Sequence, residues 1–168
     1  MGVVVLFSGG HDSANLVKRA APDCIALFVD YGQEARLREL RAVLNICSYF
    51  DVEVRIDRID PLPIVDGTGD VVAGRNLRLI AQAIPIAVGA GASEIQIGTT
   101  DLDFEAFPDC RPGFIETISA ATQSAYGVRV TAPLKTRPSY AVAGTWSCYR
   151  GDAKPCGVCR SCRQGYQA

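Results

Sequence analysis

Histidine is nearly absent from this chain: His11 is the only one in 168 residues. Little imidazole is therefore available to ligate a metal or to activate a nucleophile. Charge of one sign is also lacking. Lys and Arg number 17 against 18 Asp and Glu, a net charge of −1. That balance lacks the basic footprint of a nucleic-acid partner or a membrane surface, and neither is expected. No apolar run approaches the length that crosses a bilayer. The run Val3 to Phe7 is too short for a signal peptide and no basic stretch precedes it. Low-complexity tracts and internal repeats are missing. So are the kinase-type phosphate loop G-x-x-x-x-G-K-[ST] and the dinucleotide fingerprint G-x-G-x-x-G.

Cysteine is plentiful. Four of the seven, Cys148, Cys156, Cys159 and Cys162, form a C-x7-C-x2-C-x2-C cluster at the C-terminal end. Thiolates separated by two residues can grip one metal ion from a tight turn, and Gly157 suits such a turn. Four thiolates without a neighbouring histidine fit a closed tetrahedral Zn²⁺ site. The alternative is a pair of disulfides. Cys24, Cys47 and Cys110 are left over, an odd number, and nothing else points to secretion, so a reducing cytoplasm is expected. Replacing Cys156 is expected to cost metal and solubility before it alters chemistry.

The rest of the chain alternates strand and helix patterns. Val3 to Phe7 and Cys24 to Val29 are continuous apolar runs, as in strands buried on both faces. Val52 to Ile56 alternates and reads as a strand nearer an edge; Glu94 to Gly98 and Val128 to Val130 complete the set. Helices are expected from Asp12, over Glu34 to Tyr49, over Leu77 to Ala90 with a kink at Pro85, and over Phe114 to Tyr126. In the second, Leu37, Leu40, Val43, Leu44 and Cys47 supply the apolar period. Asp60 to Gly74 reads as a loop. The sum is an α/β domain with a parallel sheet over residues 1–147, and a metal knuckle over 148–168 packed on it.

Ser8-Gly9-Gly10-His11-Asp12-Ser13 follows the first strand and opens the first helix. Its glycines let backbone N–H groups turn toward an anion, the helix end adds its dipole, and the two serines add hydroxyls. This SGGHDS segment resembles the pyrophosphate loop of the N-type ATP pyrophosphatase (PP-loop) superfamily. The resemblance implies an adenine nucleotide alpha hydrolase-like, Rossmann-like fold and ATP as substrate. Asp12 then helps to place Mg²⁺, and Asp12 and Ser13 serve catalysis. His11 reads as a rim residue. Asp30, at the end of the second strand, suits a ribose or adenine-side contact, and Gly98 ends the fourth strand beside the nucleotide.

Further stretches resemble the 7-cyano-7-deazaguanine (preQ0) synthase family: FVDYGQ (Phe28 to Gln33), GRN (Gly74 to Asn76), FPDCRPGF (Phe107 to Phe114), APL (Ala132 to Leu134), TWSCY (Thr145 to Tyr149) and CGVCRSC (Cys156 to Cys162). They span nearly the whole chain in order. The resemblance implies a cytoplasmic, zinc-bound, often homodimeric ligase. It would convert 7-carboxy-7-deazaguanine, ammonia and ATP to the nitrile through an amide. Relatives that stop at the amide, that modify or bind proteins, or that thiolate RNA are the competing readings. Arg75, Asn76, Asp103, Phe107, Asp109 and Arg111 are the residues expected to read the deazaguanine, with Phe107 or Phe104 stacking on its ring; Arg75 or Lys135 could instead supply a cation at the phosphates, and Arg75-Asn76 could equally well simply start the following helix. For PDCRP the alternative is a surface turn closed by Asp109 and Arg111. Cys110 reads as a small buried residue rather than a nucleophile, and Trp146 as knuckle packing. Lys135 stands in for the family's lysine. The chain departs from the family at Gly113, usually Glu, at Glu34-Ala35, usually a basic residue and His, and in the 13 residues between Leu134 and Cys148.

Overall fold

The computed structural model describes residues 2–63, 71–134, 136, 138 and 141–165. Lys135 lies outside them. Five strands form one parallel sheet: β1 (Val3–Leu6), β2 (Cys24–Asp30), β3 (Glu53–Arg58), β4 (Glu94–Ile97) and β5 (Arg129–Thr131). Their order is β3-β2-β1-β4-β5. The helices are α1 (His11–Ala20), α2 (Arg36–Phe50), α3 (Arg75–Ala90), α4 (Pro112–Tyr126) and the short α5 (Arg160–Arg163).

The apolar runs of β1 and β2 arise because both sheet faces are covered. Val4, Leu6, Ile25 and Leu27 point to one face, where Ile80, Ala83 and Ala87 of α3 and Ile115 of α4 meet them. Val5, Phe7, Ala26 and Phe28 point to the other, against Leu16 and Val17 of α1 and Val43, Ile46 and Cys47 of α2. Side chains alternate along a strand, so neighbouring residues serve opposite layers. The sheet grows in opposite directions on the two sides of β1. That puts the topological switch point between β1 and β4, where open α/β sheets leave a crevice at the carboxyl ends of the strands.

Two expectations need correction. The buried stripe of α2 is Ala42, Val43, Ile46 and Cys47, while Leu37 is 71% and Leu44 43% exposed. The helix starts at Arg36, so Glu34 is free of it, and its inward face is rotated from the one the leucines suggest. Helix α3 starts two residues earlier than its apolar period implies, making Arg75 and Asn76 its first residues. Pro85 lies inside α3, and Pro112 opens α4, where a missing N–H costs nothing.

Candidate active site and cysteine cluster

A cleft of about 210 Å³ opens at the switch point, lined by the ends of β1, β2 and β4, the start of α1, the start of α3 and the knuckle. The SGGHDS turn forms one wall. Ser8 Oγ and Ser13 Oγ lie 3.2 Å apart, and Ser13 Oγ donates to the Gly10 carbonyl at 3.2 Å. Two glycines are required by close approach. Gly9 has φ +80°, and a Cβ there would sit 2.6 Å from the Glu39 carbonyl oxygen; one at Gly98 would sit 2.9 Å from the Ser13 nitrogen. Gly98 thus lets β4 pass under the first turn of α1. Ser8, Gly10, His11, Asp12, Ser13 and Gly98 all line the cleft, whereas Gly9 lies behind the turn. His11 is not a rim residue. It is 7% exposed, and its Nε2–H reaches the Pro138 carbonyl at 3.2 Å.

Arg75, Asn76, Asp103 and Phe107 line the opposite wall. Asp109 and Arg111 stand behind it and do not close a turn on each other. The Asp109 carboxylate accepts from the Asn76 backbone at 3.1 Å, and Asn76 Nδ2 returns a bond to the Asp109 carbonyl at 3.1 Å. Arg111 Nε donates to the Phe104 carbonyl at 2.8 Å. The PDCRP segment is therefore a brace that fixes the start of α3. The Arg75 and Arg160 guanidiniums flank the Phe107 ring at 5.5 and 5.7 Å, so cations occupy the surroundings expected for a stacked base. Cys110 is 2% exposed. Burial, then Asp103 and Asp109, push its thiol up to about 12, leaving no thiolate for attack. Asp30 stands outside the cleft lining. Its Oδ1 accepts from the Gly32 N–H at 2.9 Å, and Oδ2 lies 3.9 Å from Arg58.

Several lining residues escaped the sequence reading. Tyr31 and Gln33 sit in a recognised stretch, yet their side-chain roles carry no local signal. Glu39 looks like one more charge on a charged helix. In the structure it is half-buried, and its Oε2 accepts from Gln33 Nε2 at 2.8 Å. Burial raises the Glu39 carboxyl to about 7; the Gln33 bond and Arg75 pull it back, and Asp30 adds to the rise. A folded-state pKa above the unfolded one means the native protein holds that proton more tightly. The stabilisation is complete below the ordinary carboxylate range and is lost as pH rises through about 7. The loss is at most roughly 3 kcal/mol. Glu39→Gln is expected to remove this slope from melting temperature against pH and to melt no lower than wild type at pH 8. An unchanged slope would show that Glu39 titrates normally.

The cysteine cluster closes the cleft from the C-terminal side. The sulfurs of Cys148, Cys156, Cys159 and Cys162 all lie within 4.8 Å of one another. All seven cysteines are free thiols, so the disulfide alternative is not realised. An S–S edge of about 3.8 Å belongs to a tetrahedron with Zn–S bonds of about 2.3 Å; Cys156 and Cys162 are at 4.0 Å. Backbone N–H groups already point at the sulfurs, from Cys156 and Arg150 to Cys148 at 3.3 and 3.4 Å, and from Cys159 to Cys156 at 3.3 Å. Such donors stabilise thiolates, and the set fits a soft or borderline metal ion. Trp146 packs on the cluster and also lines the cleft. Its Nε1–H donates to the Arg150 carbonyl at 3.2 Å. Glu34, one of the departures noted above, pairs with Arg150 at 2.8 Å.

This arrangement, a glycine turn opening a helix at the switch point of a 3-2-1-4-5 parallel sheet, is that of a Rossmann-like nucleotide-binding α/β domain, and its fold is PP-loop-like. The U34-tRNA thiolase NcsA from Methanococcus maripaludis with its [4Fe-4S] cluster has the same fold. It is 18% identical, with a TM-score of 0.55 over 83% of this chain and 53% of that one. The sequence is more specific: residues 2–69 and 66–168 match Queuosine biosynthesis protein QueC, and the chain belongs to that family. Relatives named 7-cyano-7-deazaguanine synthase are similar along nearly their whole length. The Synechococcus elongatus protein is 35% identical over 204 residues, 95% of this chain and 87% of the relative. Synthase 1 of Colwellia psychrerythraea is 30% identical over 202 residues, 99% and 92%. Those alignments are longer than the 168 residues here, so the relatives carry insertions that this chain lacks. Among the described residues no helix is long and apolar enough to cross a membrane.

Proposed function

We propose that the cleft converts 7-carboxy-7-deazaguanine to 7-cyano-7-deazaguanine with ATP and ammonia, the step that serves queuosine biosynthesis. The observation that carries this reading is the SGGHDS turn presenting Ser8 and Ser13 to the cleft, in a chain of the QueC family. The substrate carboxylate attacks the α-phosphorus of ATP, and pyrophosphate leaves against the turn. Ammonia then attacks the acyl carbon, giving the amide and AMP. The amide oxygen is activated by a second ATP in the same way, and loss of AMP and the remaining nitrogen protons leaves the nitrile.

A carboxylate is a poor electrophile, so the chain must hold developing charge on phosphate while excluding water. Ser8, Ser13 and the backbone of the turn suit the leaving pyrophosphate. Asp12 has the hard oxygen donor that Mg²⁺ prefers, and that ion would add charge neutralisation at the phosphates. Arg75, in the wall opposite, suits the substrate carboxylate. Lys135 remains the proposed second cation at the phosphates, with Asp30, Asp109 and Arg111 acting from behind the walls. The four thiolates suit Zn²⁺ in a structural role. A cytoplasmic homodimer completes the proposal, by family likeness.

Mass spectrometry of a reaction containing 7-carboxy-7-deazaguanine, ATP, Mg²⁺ and ammonia should show the nitrile and two AMP per turnover. Amide as the final product, or no product, would overturn the reading.

A further inference from the structure

We propose that Glu39 is the base that takes the proton from ammonia as the amide forms. This deepens the proposed function and rests on its ammonia-dependent step. Glu39 lies in the first turn of α2, with its side chain in the cleft lining. Two sets of contacts hold it there. Gln33 Nε2 donates to Oε2 at 2.8 Å, and Gln33 is itself fixed, its Oε1 accepting from the Tyr31 N–H at 2.9 Å and its Nε2 reaching the Val29 carbonyl at 3.3 Å. The Glu39 backbone carbonyl is in turn so close to Gly9 that no Cβ fits between them. The carboxylate is thereby held in register with the phosphate turn, where the activated acyl group is formed.

Other titratable side chains of the cleft have partners of their own. The His11 Nε2–H faces the Pro138 carbonyl. Asp103 Oδ2 accepts from the Thr100 N–H at 2.9 Å and its hydroxyl at 3.3 Å. Burial raises Tyr31 and Cys110, which keeps both protonated. Asp12 lies in the first turn of α1, beside the glycine turn. The charged and titratable groups that act on Glu39 are Asp30 and Tyr31 at the end of β2 and Arg75 at the start of α3; His11, Asp12, Asp103, Cys110 and Tyr149 share the cleft lining with it.

The step balances. The ammonia lone pair forms the C–N bond, the bond from the acyl carbon to the AMP oxygen breaks, and AMP leaves with that electron pair. The surplus proton on nitrogen passes to the Glu39 carboxylate, which returns it to water when product leaves. A carboxyl titrating at about 7 is a better proton acceptor than an ordinary one and is still largely ionised in the alkaline half of its range.

The experiment separates two half-reactions at constant free ammonia. Glu39→Gln should lower amide formation by roughly 10²- to 10⁴-fold. It should leave carboxylate-dependent exchange of pyrophosphate into ATP unchanged, because adenylation precedes ammonia. Hydroxylamine, uncharged at neutral pH and a stronger nucleophile, should restore acyl transfer to the variant. In wild type, amide formation should fall below about pH 7. Gln33→Leu should move that limb to higher pH, since the lost hydrogen bond favours the ionised form. Exchange and amidation falling together in Glu39→Gln, or a limb unmoved in Gln33→Leu, would overturn the role. A wild type that exchanges pyrophosphate but never uses ammonia would overturn the substrate reading, and this one with it.

Discussion

Cys156→Ala is expected to cost metal, stability and substrate binding together. The sequence alone suggests that chemistry outlasts the knuckle, because a structural site supports folding and stands away from reacting atoms. The structure removes that separation. The knuckle region supplies Trp146, Ser147, Tyr149, Ser161 and Gln164 to the cleft lining. The Trp146 N–H donates to the Gly9 carbonyl at 2.8 Å, and the His11 N–H donates to Ser147 Oγ at 3.1 Å. On the far wall Arg160 donates to the Leu102 carbonyl at 2.8 Å. Losing one of four ligands releases the ion and the turn built around it, and both walls lose a support. Metal analysis should fall from about one ion per chain to none. The melting transition should drop by the equivalent of more than about 4 kcal/mol, the range reached when a metal site is lost. Calorimetry should find the affinity for 7-carboxy-7-deazaguanine gone as well. A metal-free variant that melts and binds like wild type would remove the cluster from both roles.

The fold was legible because the apolar runs of β1 and β2 admit one reading. Strands apolar at every position must be covered on both faces, and helices fit between them in sequence. The edge strands β3 and β5 were legible for the opposite reason, their alternation and shortness. Helix faces were less so. In α2 the leucines at 37 and 44 imply one stripe, but small residues decide the packing. Ala42 sits between α2 and the phosphate turn, and a Cβ on Gly9 would lie 3.1 Å from its own Cβ. Close approach between elements rewards small side chains, which a hydrophobic period does not register.

Sequence points best to residues placed by local backbone chemistry: the glycine turn with Ser8, Asp12 and Ser13, which the structure brings to the cleft, and the four cysteines, which it gathers. The side chains that meet only through the fold are less legible. Asp109 and Arg111 sit in a specific motif, but their partners are Asn76, 33 residues away in sequence, and Phe104. Nothing local separates a residue that touches substrate from one that braces a residue that does. Glu39 shows the converse. Flanked by Arg38 and Arg41 on a helix surface, it reads as solvated charge, and only the inward turn of α2 places it in the cleft.

Asp12→Ala should abolish nitrile formation while leaving the melting temperature close to that of wild type. Asp12 occupies the first turn of α1, where its backbone is already helical and its carboxylate lines the cleft. Alanine preserves the helix and removes the carboxylate. Losing one preorganised group at a developing phosphate charge costs on the order of 10²- to 10³-fold in rate. The proposed reaction meets that cost twice, because carboxylate and amide are activated over the same turn. The second activation is the more exposed. An amide oxygen is a weaker nucleophile than a carboxylate, so it depends more on placement of phosphate and cation. The variant should therefore release amide with little or no nitrile when incubated with high enzyme and excess ATP, and supplied amide should return unchanged. Ser13→Ala should fall short of this selectivity, because its hydroxyl also closes the turn on Gly10 and Ser8, and both activations should slow together. Chromatographic resolution of acid, amide and nitrile over time separates these patterns. Equal slowing of both steps in Asp12→Ala would place Asp12 in the scaffold of the turn rather than at the phosphate.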